Sequence, residues 1–375
     1  MAHRQLLLVG TYTEPILFGT GKILQGKGRG IYAYVFDSEN LGLKKLSLAE
    51  GIRNPSYLCF GREGKFVYAV NELKDYGGEI SGALSAFAFN VASGRFEFLN
   101  AKPTRGGDPC HVALDGTGKF AAVTNFMTGS VIIYAIREDG RLGEETAYVQ
   151  HRGSSVDPVR QAGPHAHSSI FSDTNSFMYV PDLGVDRVIA YSFDEKTGAL
   201  AERSDKTMAA APGAGPRHLE FSRDGTKAYV INELASTVSV FSKDMAAGGF
   251  KEIQSVPTLP RGFDDHSTCA DVHISPSGEY LYASNRGHDS IAWYRIDQGT
   301  GLLEPRGFES TRGRTPRNFS LDESGKFLFA ANQDSDSIAV FEINGTSGKP
   351  EFTGLTLEVP TPVCLRFLSP DIMGS

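Results

Sequence analysis

Six segments of this chain repeat one frame: NPSYLCFGREGKFVYAVNEL from Asn54, DPCHVALDGTGKFAAVTNF from Asp108, GPHAHSSIFSDTNSFMYVPDL from Gly163, GPRHLEFSRDGTKAYVINEL from Gly215, TCADVHISPSGEYLYASNRG from Thr268 and TPRNFSLDESGKFLFAANQD from Thr315. A proline or small residue opens a short apolar strand, and a polar turn with Gly or Asn follows. A second apolar strand, rich in Tyr, Phe, Val and Ala, then ends near Asn. The shared start falls at Pro55, Pro109, Pro164, Pro216, Cys269 and Pro316, a period of about fifty residues, which is the range of propeller blades.

A third alternating run follows each hairpin, as in SVIIYAI from Ser130, RVIAYSF from Arg187, TVSVFS from Thr237, SIAWYRI from Ser290 and SIAVFEI from Ser337. A T-G or D-G turn and a weaker strand complete each unit, and no helical periodicity competes with this pattern. A further unit exists only if the termini join. TPVCLRFL, Thr361 to Leu368, has the first-strand pattern, whereas QLLLVGTYT, Gln5 to Thr13, has the second-strand pattern with nothing before it. The sequence therefore predicts an all-β fold: one seven-bladed β-propeller over residues 1–375, with four antiparallel strands per blade. Pairing of the N- and C-terminal strands closes the ring and leaves no open sheet edge at the seam.

The charge balance limits the partners. Against 37 basic side chains stand 44 acidic ones, a net charge of -7 spread without long runs. That argues against nucleic acid or an anionic membrane as the main partner and leaves room for a small anionic molecule. No stretch approaches membrane-spanning length, and MAHRQLLLVGTYT passes into β-type residues without the apolar region of a signal peptide, so a cytoplasmic protein is expected. Cys59, Cys110, Cys269 and Cys364 show no C-x-x-C pairing and read as reduced, buried small residues. No cofactor is expected, and the chain is read as a monomer or weak dimer.

In a propeller blade the first strand lines the central channel, and its start shares a face with the end of the second strand. That rule brings Arg217, His218, Asn232 and Glu233 to one rim. From other blades the same rim should receive Asn71 and Glu72, His165 and His167, Asp271 and His273, Asn285 and Arg286, and Arg317. Taken singly, Pro-x-His and a terminal Asn-Glu serve turns and strand-start hydrogen bonds. A convergent set of arginines, imidazoles and carboxylates is costly unless its members pair with each other or with a polar ligand, which makes the rim a ligand-binding mouth. The His165-Ala166-His167 spacing invites a metal, but no Asp/Glu/His cluster completes a coordination sphere and the arginines repel a cation. His111 reads as structural. Ser168, Ser169 and Asp182 lack the G-x-S-x-G elbow of a nucleophilic triad. Two long loops interrupt the blades, Thr13 to Gly30 and Gln150 to Gly163; the first, carrying Lys22, Lys27 and Arg29, reads as a solvated surface segment, with a cover over the mouth as the alternative.

GAGPRHLEF, INEL, ADVHISPSGEYLYASNR and TPRNFSLDESGKFL resemble the seven-bladed propeller lactonases, the family that includes propeller-type 6-phosphogluconolactonases and carboxy-cis,cis-muconate cyclases. The resemblance covers nearly the whole chain. The cyclase branch uses one His, two Arg and one Glu at the channel mouth, and by motif these fall on His167, Arg217, Glu233 and Arg286. Three functions follow as expectations: hydrolysis of a phosphorylated sugar lactone, a lactonising cyclase using the same rim, or a non-enzymatic interaction platform. Lactone hydrolysis needs a base, for which His167 and Glu233 are candidates, and charge for the oxyanion, for which Arg217 and Arg286 are candidates. Arg317 and His218 are candidates for a substrate phosphate or carboxylate, with His165, Asp271, His273 and Glu72 as further binding residues.

Overall fold

The computed structural model describes residues 3–244 and 248–368. Among them there is no α-helix, and seven antiparallel sheets form a ring, the seven-bladed propeller that the repeat predicts. We number the blades from the seam. Blade 1 joins the C-terminal strand Pro362–Leu368 to Arg4–Thr11, Gly30–Asp37 and Gly42–Glu50, with Leu6 opposite Leu368 and Thr11 opposite Pro362. The inner strands of blades 2 to 7 are Leu58–Phe60, Pro109–Leu114, Ile170–Phe171, Pro216–Phe221, Thr268–Ile274 and Pro316–Leu321. The second strands are Phe66–Asn71, Phe120–Asn125, Phe177–Asp182, Lys227–Asn232, Tyr280–Arg286 and Phe327–Asn332.

The period-two alternation works here between blades, because each sheet face packs against a neighbouring sheet. Tyr229, Ile231 and Val240 of blade 5 share one buried cluster with Val272, Leu281 and Ala283 of blade 6. At the seam Leu7, Val9 and Phe36 of blade 1 pack on Phe329 and Val340 of blade 7, with the Phe36 and Phe329 rings 4.9 Å apart and edge-on. The polar turns between inner and second strands need a left-handed residue, supplied by Gly225 at φ 65° and Gly325 at φ 69°.

Blade 4 departs from four regular strands. Its inner strand shrinks to Ile170–Phe171, preceded by a single bridge between Ala166 and Asp182. Asp182 explains this, because one carboxylate oxygen accepts the His165 and Gly184 N–H groups at 2.7 and 2.9 Å and the other meets His151 Nδ1 at 2.6 Å. A side chain thus replaces part of the ladder, and the His165–His167 segment crosses the rim outside a regular strand. All four cysteines are free; three are buried and Cys59 is half-buried.

Candidate active site at the channel mouth

A repeated irregularity aims the arginines. In blade 5 Pro216 pairs with Asn232 and His218 with Ile231, so Arg217 is the extra residue of a bulge. Blade 7 does the same with Arg317, and blade 3 with Cys110. In a regular strand Arg217 and His218 would point to opposite faces. The bulge re-aims the extra residue, and both side chains reach the channel.

The mouth is a cavity of about 300 Å³ whose lining includes Glu72, Asp108, Arg160, His167, Glu233, Arg286 and Arg317. At its floor the channel narrows to about 10 Å³ between Tyr57, Glu72, His167, Arg217, His218 and Arg317. Glu233 is the electrostatic hub. Arg160 Nη2 donates to its Oε1 at 2.7 Å, while Arg286 Nη2 lies 2.8 Å and Arg217 Nε 3.1 Å from Oε2. Burial alone would push the Glu233 carboxyl upward, but Arg286, Arg160 and Arg217 outweigh it and hold the group well below the usual carboxylate range. Burial, reinforced by the other guanidiniums, pulls Arg217 down to about 10. Three guanidiniums against one carboxylate leave a positive cluster beneath the mouth.

His167 is buried at the cavity floor, and its Nδ1 has no hydrogen-bond partner. Burial and the fields of Arg217, His218, Arg317 and Arg286 keep its imidazole neutral, with its pKa well below the ordinary value. Glu72 faces the opposite situation to Glu233. Tyr12, wholly buried, donates its hydroxyl to both carboxylate oxygens at 3.0 Å, and burial raises the Glu72 carboxyl against the lowering pull of Arg317. Arg317 lies between the Tyr12 and Phe18 rings, 5.6 and 5.3 Å from their centroids, and has no carboxylate in ion-pair contact among the described residues.

Three residues expected at the rim lie elsewhere. His218, Asp271 and His273 line a separate cavity of about 360 Å³ toward the far end of the channel, although His218 also touches the waist. Strand rise explains the correction: His273 is five residues beyond Thr268, which lines the mouth, and a strand advances about 3.3 Å per residue. These residues form a relay, buried at Asp271 and His218 and half-buried at its outer end. Glu220 meets His273 Nδ1 at 2.6 Å, His273 Nε2 meets Asp271 at 3.1 Å, Asp271 meets His218 Nδ1 at 2.7 Å, and His218 Nε2 lies 3.3 Å from Arg217 Nη1. Burial opposes a charge on His273, yet Asp271 and Glu220 raise it to about 10, while burial and Arg217 lower His218 to about 4. A neutral His218 therefore accepts from Arg217 and braces it. His165 also stays off the cavity wall; it stacks on Phe126 at 4.7 Å, and Phe126 lines the mouth.

The first long loop lies at the mouth, the alternative to a solvated surface segment. Ile16–Leu17 and Ile23–Leu24 form a hairpin whose residues Ile16 to Thr20 and Lys22 line the cavity, tied to blade 7 by Lys22–Asp334 at 3.2 Å and Lys27–Asp336 at 2.6 Å. The second loop delivers Arg160, which sequence reasoning missed. An Asp-Pro turn, in which Asp157 accepts the Val159 and Arg160 N–H groups at 2.8 and 2.9 Å, and the buried Gln161 anchored on Leu183 O and Asp186 hold it there. The Asp157-Pro158 pair signals a turn; nothing local signals its partner in blade 5. Tyr12 and Asp108 were missed for the same reason. His111 lines the far cavity and accepts the Ser169 N–H at 3.3 Å, while Ser168 Oγ donates to Arg217 O at 2.9 Å and Ser169 Oγ meets Thr124 Oγ1 at 2.6 Å, so neither serine hydroxyl engages an imidazole. Among the described residues no three His, Cys, Asp or Glu side chains are placed to hold a metal ion.

Comparison with known proteins agrees with this fold. Residues 6–367 match the family described as "Lactonase, 7-bladed beta-propeller". A Bacillus subtilis protein named 6-phosphogluconolactonase is 33% identical over 360 residues, covering 96% of this chain and 97% of that protein. The solved structure of a periplasmic gluconolactonase from Pseudomonas aeruginosa is 32% identical with a TM-score of 0.88, over 98% of this chain and all of that one. A candidate 6-phosphogluconolactonase from Bacteroides fragilis is 34% identical, also at TM-score 0.88, over 98% of both chains. The chain belongs to the seven-bladed β-propeller lactonase family and is a lactone-hydrolysing enzyme.

Proposed function

We propose that the substrate is a sugar lactone and, most specifically, that the protein converts 6-phosphogluconolactone to 6-phosphogluconate at the mouth cavity. The observation that carries this reading is the division of cationic groups there. Arg160, Arg217 and Arg286 share Glu233, whereas Arg317 is left to an outside anion. The first group stabilises the oxyanion that develops when water attacks the lactone carbonyl. Arg317, held between Tyr12 and Phe18, receives the phosphate or a carboxylate. His167, neutral and with an unpartnered nitrogen, hydrogen-bonds the sugar or the attacking water. His218, Asp271 and His273 act from behind by bracing Arg217.

The names of the relatives support the hydrolytic direction over lactonisation. Against an interaction platform, the large exposed hydrophobics among the described residues are spread over several blades, apart from Leu17 and Ile23 of the mouth hairpin and Val156 and Val159 of the loop that carries Arg160. Among the described residues no helix is long and apolar enough to cross a membrane, and a phosphorylated sugar substrate supports placement in the cytoplasm.

The test uses freshly generated 6-phosphogluconolactone and glucono-1,5-lactone, each with and without protein. Acceleration of both, greater for the phosphorylated lactone, is expected. Arg317→Leu should raise KM for the phosphorylated lactone by roughly 10- to 100-fold, the scale of a lost charged hydrogen bond, and leave the plain lactone nearly unaffected. Equal losses on both would remove Arg317 from phosphate recognition.

A further inference from the structure

The tripeptide Asn-Glu-Leu occurs at the end of two second strands, Asn71-Glu72-Leu73 in blade 2 and Asn232-Glu233-Leu234 in blade 5. Three blades apart in a ring of seven, the two carboxylates face one cavity from opposite sides. Their surroundings differ sharply. Glu233 is gripped by three guanidiniums, so giving it a proton would strip them of their shared counter-charge. His167 already lies in the fields of Arg217, Arg317 and Arg286, and a proton there would add another positive charge to that cluster. Glu72 has one phenolic donor, Tyr12, and no ion pair among the described residues. It lines both the mouth and the waist. Of the three candidates, only Glu72 can shuttle a proton without dismantling the site.

We infer that Glu72 is the general base of lactone hydrolysis and the acid that protonates the leaving oxygen, with Tyr12 as its positioning residue. The inference rests on the hydrolytic reading above. Glu72 takes a proton from water as the water oxygen bonds to the carbonyl carbon, and the carbonyl π pair moves onto oxygen beside the guanidinium cluster. Collapse breaks the bond to the ring oxygen, which leaves with the electron pair and takes the proton back from Glu72. The product is a hydroxy acid, whose carboxyl then releases its proton to solvent. Water is the co-reactant, and no atom changes oxidation state.

The groups that face Glu72 set its proton affinity: Tyr12 from blade 1, Asp108 and Cys110 from blade 3, His167 from blade 4, Arg217 from blade 5 and Arg317 from blade 7. Burial and Asp108 raise the carboxyl, and Arg317, the Ser56 hydroxyl and the Tyr12 hydrogen bond lower it. Activity should therefore rise with pH along an acidic limb displaced above the ordinary carboxylate range.

The experiment measures kcat and KM for glucono-1,5-lactone across the acidic pH range in wild type, Glu72→Gln and Tyr12→Phe. Glu72→Gln, which preserves shape and can still accept from Tyr12, should lose about 10²- to 10⁴-fold in kcat with KM little changed. Tyr12→Phe removes a hydrogen bond to the charged form and should move the acidic limb to higher pH. A Glu72→Gln variant within threefold of wild type overturns the inference, as does a Tyr12→Phe enzyme whose limb stays in place. If Glu72→Gln does not fold, the Tyr12→Phe profile decides. A wild type that accelerates no lactone would sink the hydrolytic reading itself, a result distinct from active wild type with an equally active Glu72→Gln.

Discussion

Arg217 Nε lies 3.1 Å from Glu233 Oε2, across the mouth-facing end of a single hairpin in blade 5. Both residues are almost wholly buried, and the pair is extended by Arg286 from blade 6 and Arg160 from the loop before blade 4. A decorative rim pair would be exposed and worth little. This one organises the positive floor of the cavity.

Arg217→Ala should reduce kcat by about 10²-fold, the scale of a lost oxyanion donor. Glu233→Gln should be comparably impaired and should also lower the thermal midpoint, because breaking a buried ion pair costs about 3–5 kcal/mol. The double variant should be little worse in rate than the poorer single, as expected of groups that act as a unit. Full activity in Arg217→Ala would refute its role at the site.

Arg160 reaches Glu233 from a loop and leaves the blade cores untouched, so its loss should separate catalysis from stability. Arg160→Ala is expected to lower kcat/KM by about 10-fold or more, consistent with one charge-assisted hydrogen bond, with the thermal midpoint nearly unchanged. A midpoint drop accompanied by normal kinetics would make Arg160 a structural clamp only.

His273 sets a stability window in pH. Its folded pKa is raised to about 10, above the ordinary value of about 6.5, so the folded protein binds this proton more tightly than the unfolded chain. The contribution is fully present below about pH 6.5 and is lost as pH rises toward 10. Wild type should therefore show a falling thermal midpoint over that interval, and His273→Gln should have a lower midpoint at pH 6 but a flatter profile above it. The same variant, which loosens the chain from Glu220 to Arg217, should reduce kcat more than it changes KM. Parallel midpoint profiles for the two proteins would rule out this linkage.

The sequence by itself determined the ring. Period-two alternation, Gly-bearing turns and a recurring strand-start proline are local properties, and their repetition specifies blades that can bury their faces only against one another. The split seventh unit, Gln5 to Thr13 with Thr361 to Leu368, was equally legible because strand patterns survive separation in the chain. Residue types at the start of inner strands and the end of second strands also pointed to His167, Arg217, Glu233, Arg286, Arg317 and Glu72, all of which line the mouth or its waist. What only the tertiary structure decided is depth, partnership and proton affinity. Strand rise carried Asp271 and His273 away from the mouth, and the bulges that turn Arg217 and Arg317 into the channel are differences of register between two strands. The contacts Arg160–Glu233 and Tyr12–Glu72 span 73 and 60 residues. The two Asn-Glu-Leu segments are identical in sequence; three guanidiniums hold one carboxylate charged, and burial beside a phenol pushes the other toward neutrality, because a side chain's proton affinity belongs to its surroundings rather than to its motif.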